Sequence, residues 1–380
     1  MKHLIRGSAA LLISAAPLTA GGIERAPQSL AALFEAGNYA ELSFGGADPR
    51  VKGTDSAIPE MGYPGGAPTG DVAQGYGFVG LAYKHQFNEN LSGAIIIEQP
   101  FGADISYAPF DDGGSMLLGG TSATVDSTTF TALARWRFDN NFSVHGGIRG
   151  SKASGEVTLD GMAYGGPLPT GLSGYNVKLD DSWGVGYVVG GAYEIPDIAA
   201  RISLTYNSSI EHDFDTTENI LAGTSTTTVK TPQSVTLEGQ TGIAADTLLF
   251  GSIRWVKWSE FKVRPLAFSS DPSRADGLVS LENTTTYTLG VGRKFTENWS
   301  GSVSLVYEPS GDDMVSPLAP TNGRKGITLA AIYTMDNVKI STGINYSKLG
   351  DASPQTRDTE RARMRDSEVW GVGVRIGYSF

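Results

Sequence analysis

The chain has 380 residues, with 40 acidic against 29 basic side chains, a formal net charge of −11 and no cysteine. This charge argues against a nucleic-acid partner, because no basic stripe exists to displace phosphate counterions. The lack of cysteine excludes disulfide staples, a Cys-ligated zinc and a Cys nucleophile.

Lys2 and Arg6 precede an apolar run from Ala9 to Ala16, and Leu18-Thr19-Ala20 offers a small residue at a cleavage point. Residues 1–20 therefore read as a secretory signal peptide, too short to span a membrane. Residues 21–38 follow as a short N-terminal segment in which Leu30, Leu33 and Phe34 are spaced for one apolar helical turn. No run of about 18 apolar residues exists, which excludes helical membrane spans and leaves a transmembrane barrel open.

From residue 39 onward the chain alternates in strand phase. Fourteen strands are expected at 39–52, 72–86, 91–107, 121–138, 142–159, 175–194, 199–212, 228–241, 247–263, 283–295, 298–309, 326–335, 338–349 and 367–380. In the last, Trp370, Val372, Val374, Ile376, Tyr378 and Phe380 share one face, while Gly371, Gly373, Arg375, Gly377 and Ser379 share the other. The connections alternate between short turns such as Asn88-Glu89-Asn90 and Asp336-Asn337 and long ones near 53–71, 108–120, 160–174, 213–227, 264–282, 310–325 and 350–366. An even number of strands with this alternation predicts an all-β, fourteen-stranded antiparallel transmembrane barrel over 39–380. Its place is the outer membrane, with both termini on the periplasmic, tight-turn side. Aromatics beside the tight turns, among them Tyr39, Phe87, Phe138, Phe142, Phe295, Trp299 and Tyr378, read as an interfacial girdle.

Local segments narrow the reading. Glu98-Gln99-Pro100-Phe101-Gly102 lies in the third strand, and the ninth carries Trp255-Val256-Lys257-Trp258-Ser259-Glu260-Phe261. Lys230-Thr231-Pro232-Gln233-Ser234 opens the eighth, and Gly290-Val291-Gly292 and Asn298-Trp299 follow. In this order they resemble the FadL/TodX type of outer-membrane transporter for long-chain fatty acids and aromatic hydrocarbons, over most of residues 36–380. The resemblance implies passive uptake of hydrophobic molecules. They would be caught by outer loops, meet an N-terminal hatch inside the barrel, and leave sideways at a kinked third strand. Residues 21–38 would be a shortened hatch, in which Leu30, Leu33 and Phe34 are the apolar contacts and the family's Asn-Pro-Ala step is missing. Proline cannot donate to a ladder, so Pro100, Phe101 and Gly102 are either the lateral kink or a bulge near the rim.

Ligand contacts are expected from Phe110, Met116, Leu117 and Leu118 in the second loop and from Met162, Tyr164, Leu168 and Leu172 in the third. These side chains suit an adaptable apolar groove and equally a packed cap. By phase, Arg149, Lys294 and Arg375 face inward, where they could hold a carboxylate or pair with lumen acids. His85, His145 and His212 lie on separate strands with no nucleophile motif, so no enzyme activity, cofactor or metal site is expected; Asp111-Asp112 and Asp312-Asp313 read as solvated loop tips. The expected partners are hydrophobic small molecules, outer-membrane lipid and lipopolysaccharide, and the barrel-assembly machinery, with the chain a monomer. A general diffusion porin or a structural barrel is the alternative.

Overall fold

The computed structural model describes residues 22–380 apart from Pro27; the expected signal peptide lies outside the described residues. Strands that expose a full row of backbone groups to lipid must pair on both sides, and the chain does this by closing a ring. The wall consists of β1 (Tyr39–Arg50), β2 (Tyr76–Gln86), β3 (Leu91–Glu98 and Gly102–Ser106), β4 (Ser122–Arg137), β5 (Phe142–Leu159), β6 (Tyr175–Ile195) and β7 (Ala200–Asn207 and Ile210–Glu218). It continues with β8 (Thr224–Thr231 and Ser234–Ala244), β9 (Thr247–Val256), β10 (Thr284–Lys294), β11 (Trp299–Glu308), β12 (Arg324–Met335), β13 (Val338–Leu349) and β14 (Glu368–Ser379). Neighbours are antiparallel, and β14 returns to β1 in unbroken register from Tyr39 opposite Ser379 to Arg50 opposite Glu368.

The expected count of fourteen stands, and the fifth and thirteenth strands begin and end as read from the sequence. Three details differ. The segment expected as a fourth long loop is instead a hairpin: the second piece of β7 pairs with the first piece of β8 from Ile210 opposite Thr231 to Thr217 opposite Thr224. Its outward residues are polar because it rises clear of the apolar belt, while Phe214 and Val229 stay buried inside. The ninth strand ends at Val256, and a turn at Trp258–Glu260 carries the fully buried Trp258 into the interior. Tyr39 is not a girdle residue: it faces inward, buried, and its hydroxyl donates to Glu41 at 2.8 Å. The remaining aromatics named for the girdle, such as Phe87, Phe295 and Trp299, are exposed on the outer face.

Inside, polar and apolar residues separate by height. Toward the tight turns the interior is mostly polar, with Thr131, Arg135, Ser143, His145, Arg149, Ser203 and Thr205 buried. Toward the long loops it becomes mostly apolar: Val125, Val157, Leu179, Phe214 and Val229 join one cluster with the loop residues Leu117, Leu118, Leu172, Trp258, Phe261 and Phe268. The change coincides with irregularities in the wall, at Gln99–Phe101 in β3, between Ala153 and Gly155 of β5, at Ser208-Ser209 in β7 and at Pro232-Gln233 in β8.

Buried carboxylates pin the outer loops onto this core. Asp55 accepts from Met116 N at 2.8 Å, Leu117 N at 3.1 Å and the Tyr63 hydroxyl at 3.0 Å. Burial, with the hydrogen bond to Asp55, pushes the Tyr63 phenol up to about 12, so it remains a donor at ordinary pH. Glu218 accepts from Ala267 N at 2.7 Å, Phe268 N at 2.8 Å and the Tyr175 hydroxyl at 2.8 Å. Removing a buried acceptor strands its donors at about 1–3 kcal/mol each. Glu218→Ala should therefore leave the barrel folded, with normal heat-modifiable migration on a gel, while amide exchange at Ala267 and Phe268 accelerates. Unchanged protection of those two amides would refute the pinning role.

Candidate functional site

The third strand is where the wall is least regular. Its first piece pairs with β2 from Gln86 opposite Ser92 to Leu81 opposite Ile97, and its second piece has no ladder with β2. Between them, Gln99 Oε1 accepts from the Val79 backbone N at 3.1 Å, a side chain standing in for a missing ladder bond. A cavity of about 70 Å³ opens here, bounded by Phe78, Val79, Gly80, Ile97, Glu98 and Gln99 on the wall and by Ala31 and Ala32 within. Pro100 therefore interrupts the strand, an irregularity that both the kink and the bulge readings require.

The backbone groups released at the break are taken up from inside by the N-terminal segment. Pro100 O accepts from Arg25 N at 2.7 Å and Ala26 N at 3.2 Å, and Gly102 N donates to Ile23 O at 2.8 Å. Glu24 thus lies in an antiparallel bridge with Phe101. Side chains reinforce the contact: Glu24 pairs with the buried Arg254, whose Nε donates at 3.3 Å and whose Nη1 donates to Thr236 at 2.9 Å. Arg25 reaches Asp126 at 3.2 Å and lies 4.8 Å from the Tyr76 ring centre. At the other end of the segment, Leu30, Leu33 and Phe34 are buried against Ala82, Ala94, Ile96, Leu133 and Val188. Arg135 and Arg201 flank the Phe34 ring at 4.6 and 4.3 Å, a pair of cation–π contacts.

Above the N-terminal segment lies a cavity of about 60 Å³. Its lining includes Ile23, Phe101, Val125, Val157, Phe214 and Trp258, and it contains no lysine or arginine. Phe101 meets Trp258 edge to face at 5.8 Å, and Trp258 meets Phe261 in the same way at 6.2 Å. Gly22 lies so close to the Trp258 ring that any side chain there would overlap it. An apolar chamber next to a break in the wall, with a peptide segment between them, suits reversible containment of an apolar molecule.

The residues singled out in the sequence divide. Leu117, Leu118 and Leu172 are buried in the core, with Tyr164 packed against it; Met116 and Leu168 are half-buried. Phe110 and Met162 are exposed at their loop tips. None of the eight lines the chamber. The three cations are not gathered either. Arg375 pairs with Glu41 at 3.1 Å, Arg149 is buried in electrostatic contact with Glu98, and Lys294 is exposed at the tight-turn rim. Sequence reasoning missed Glu24, Glu98 and Arg254, and it placed Trp258 in the wall. Only the W-x-x-W-S-x-F pattern carried a signal for that last residue.

The family model for outer membrane protein transport proteins (OMPP1/FadL/TodX) matches residues 10–380. Among solved structures, a Pseudomonas aeruginosa FadL homologue is 16% identical, with 96% of this chain and 97% of that chain covered at a TM-score of 0.71. The Pseudomonas putida toluene transporter TodX is 13% identical, with 93% and 95% covered at 0.64. The Ralstonia pickettii toluene transporter TbuX is 13% identical, with 96% and 97% covered at 0.60. No curated protein matches the chain. The matched family is one of passive transport channels rather than enzymes. The whole-length family match and the closed fourteen-stranded wall together place this chain in the FadL/TodX family of outer-membrane transporters of hydrophobic compounds.

Proposed function

We propose that the protein admits small apolar molecules through its outer loops into the chamber beneath Trp258 and releases them sideways into the bilayer at the Pro100 break. The observation that carries this reading is the adjacency of the chamber, whose exposed lining is apolar, and the unpaired stretch between β2 and β3, joined at Phe101. Residues 22–38 act as the hatch, and Leu30, Leu33 and Phe34 anchor its lower end. In the loops, Leu117, Leu118, Tyr164 and Leu172 pack the cap that holds the loops over the barrel, while Phe110 and Met162 offer first contact. Both termini face the periplasm, where Phe380 serves the barrel-assembly machinery. The chain works as a monomer in lipopolysaccharide-containing membrane.

An uncharged hydrocarbon fits better than a fatty acid. The chamber has no cation of its own, and Arg149 and Arg375 already face acids. Desolvating a carboxylate there without a partner costs several kcal/mol. In vesicle uptake assays, toluene-like compounds should therefore enter faster than long-chain fatty acids, and the reverse order would count against this cargo class.

Two further measurements test the route. The resting chamber, about 60 Å³, is well below the roughly 150 Å³ cavity that takes up benzene. Passage therefore requires widening, and filling the space should block it. Ala153→Phe, which narrows the chamber, should slow uptake about ten-fold or more, a rise of about 1.4 kcal/mol in the barrier to passage, with barrel folding intact. Unchanged uptake would exclude the chamber from the path. In planar bilayers the intact protein should show no large steady ion conductance, and deleting residues 22–34 should create one. A large steady conductance from the intact protein would instead favour a diffusion porin.

A further inference from the structure

A broad depression lies on the lipid-facing side of the wall, over β7 to β11, far from the Pro100 break. It measures about 650 Å³, and its exposed lining is almost wholly apolar. The floor exists because two glycines face outward directly opposite each other, Gly239 on β8 and Gly251 on β9. Leu237, Leu289 and Leu305 form its sides. Toward the long loops it ends at Tyr287 and Tyr307, cross-strand neighbours whose rings stack at 6.4 Å. Aromatic residues of this kind mark the level of the lipid headgroups.

Immediately past Tyr307 the surface turns cationic. Lys325 is the cross-strand partner of Tyr307, with its ammonium 6.0 Å from the ring centre. On the next strand Lys348 stands directly opposite Lys325. Like charges in that position repel, and only Lys348 has an acid within range, Asp366 at 3.3 Å. Among the described residues no acid forms an ion pair with Lys325. A groove that takes hydrocarbon below the headgroup level, with unbalanced positive charge above it, is complementary to an acylated anion.

We infer that this groove and its lysine rim hold one molecule of the outer leaflet's phosphorylated glycolipid, the lipid A part of lipopolysaccharide. An acyl chain lies over Gly239 and Gly251, and a phosphate sits at Lys325 and Lys348. The assignment to the outer leaflet follows from the position of the lysines at the long-loop end of the wall, the end that faces outward in single-chain outer-membrane barrels. The site is independent of the transport path and stands whether or not the chamber carries cargo.

The test is native mass spectrometry of the full-length protein in detergent, titrated with bisphosphorylated hexa-acyl lipid A and, separately, with phosphatidylglycerol. A side chain at Gly239 points into open space, so Gly239→Leu fills the groove without disturbing the wall. Heat-modifiable gel migration confirms that each variant is folded. The intact protein should bind one lipid A. Gly239→Leu and Lys325→Glu should each lower its occupancy about five-fold or more, the scale of one surface lysine at an anionic membrane. The inference is overturned if lipid A does not bind at saturation, if phosphatidylglycerol binds equally well, or if either variant keeps full occupancy.

Discussion

A peptide group in hydrocarbon has no water to bond with, so every N–H and C=O in the wall needs a protein partner. The chain meets this demand by bringing Ser379 back to Tyr39, which pairs the two edge strands of the sheet. Wherever the ladder fails, some other group must supply the bond, and the failures in this barrel are answered locally. The Gln99 side chain serves Val79 N, and the Ser208 hydroxyl accepts from Tyr187 N at 2.8 Å. The Pro100 carbonyl takes two backbone donors from the N-terminal segment. That last substitution makes an otherwise peripheral stretch of chain part of the wall's hydrogen bonding.

The same logic governs charge. A buried ion is tolerable only with a partner, because leaving it alone costs several kcal/mol. Within the barrel Arg254 meets Glu24, Arg135 meets Glu194, Arg324 meets Glu308 at 3.8 Å and Arg375 meets Glu41. This pairing ties up these buried cations within the barrel and leaves the apolar chamber without a lysine or arginine. Arg149 and Arg375 face inward as their phase required, and of the two roles open to the inward cations they have the second, an acid of the lumen beside each.

The parts of this structure legible in the sequence are those set by local rules. Period-2 alternation and Asn- or Asp-rich turns located all fourteen strands, and Pro100 announced its own break. The parts that were not legible depend on closure. Glu24 and Arg254 are 230 residues apart, and nothing local to either predicts their meeting. The hairpin of β7 and β8 looked like a loop because, once above the lipid, its outer face carries Asp and Thr rather than apolar residues. Loop composition marked Phe110 and Leu117 alike as apolar, yet one is exposed and the other buried, since only packing against Asp55 and the barrel rim separates them.

These constraints also rank the ways in which the chamber could widen. Its roof comes from the loop bearing Trp258, Phe261, Val263 and Phe268, all buried. Exposing four such side chains costs on the order of 6–12 kcal/mol, before the Glu218 bonds to that loop are broken. Its floor is the stretch from Ile23 to Ala26, held by three backbone hydrogen bonds, two buried apolar side chains and two ion pairs. At about 1 kcal/mol net for each hydrogen bond, these weigh less than the roof. The exposed Arg25–Asp126 pair adds little, and the cost of parting Glu24 from Arg254 falls when water solvates both as they separate. The floor therefore yields before the roof. Because that floor is also what bonds the Pro100 carbonyl, any widening of the chamber through its floor would also release the bonds that brace the β3 break.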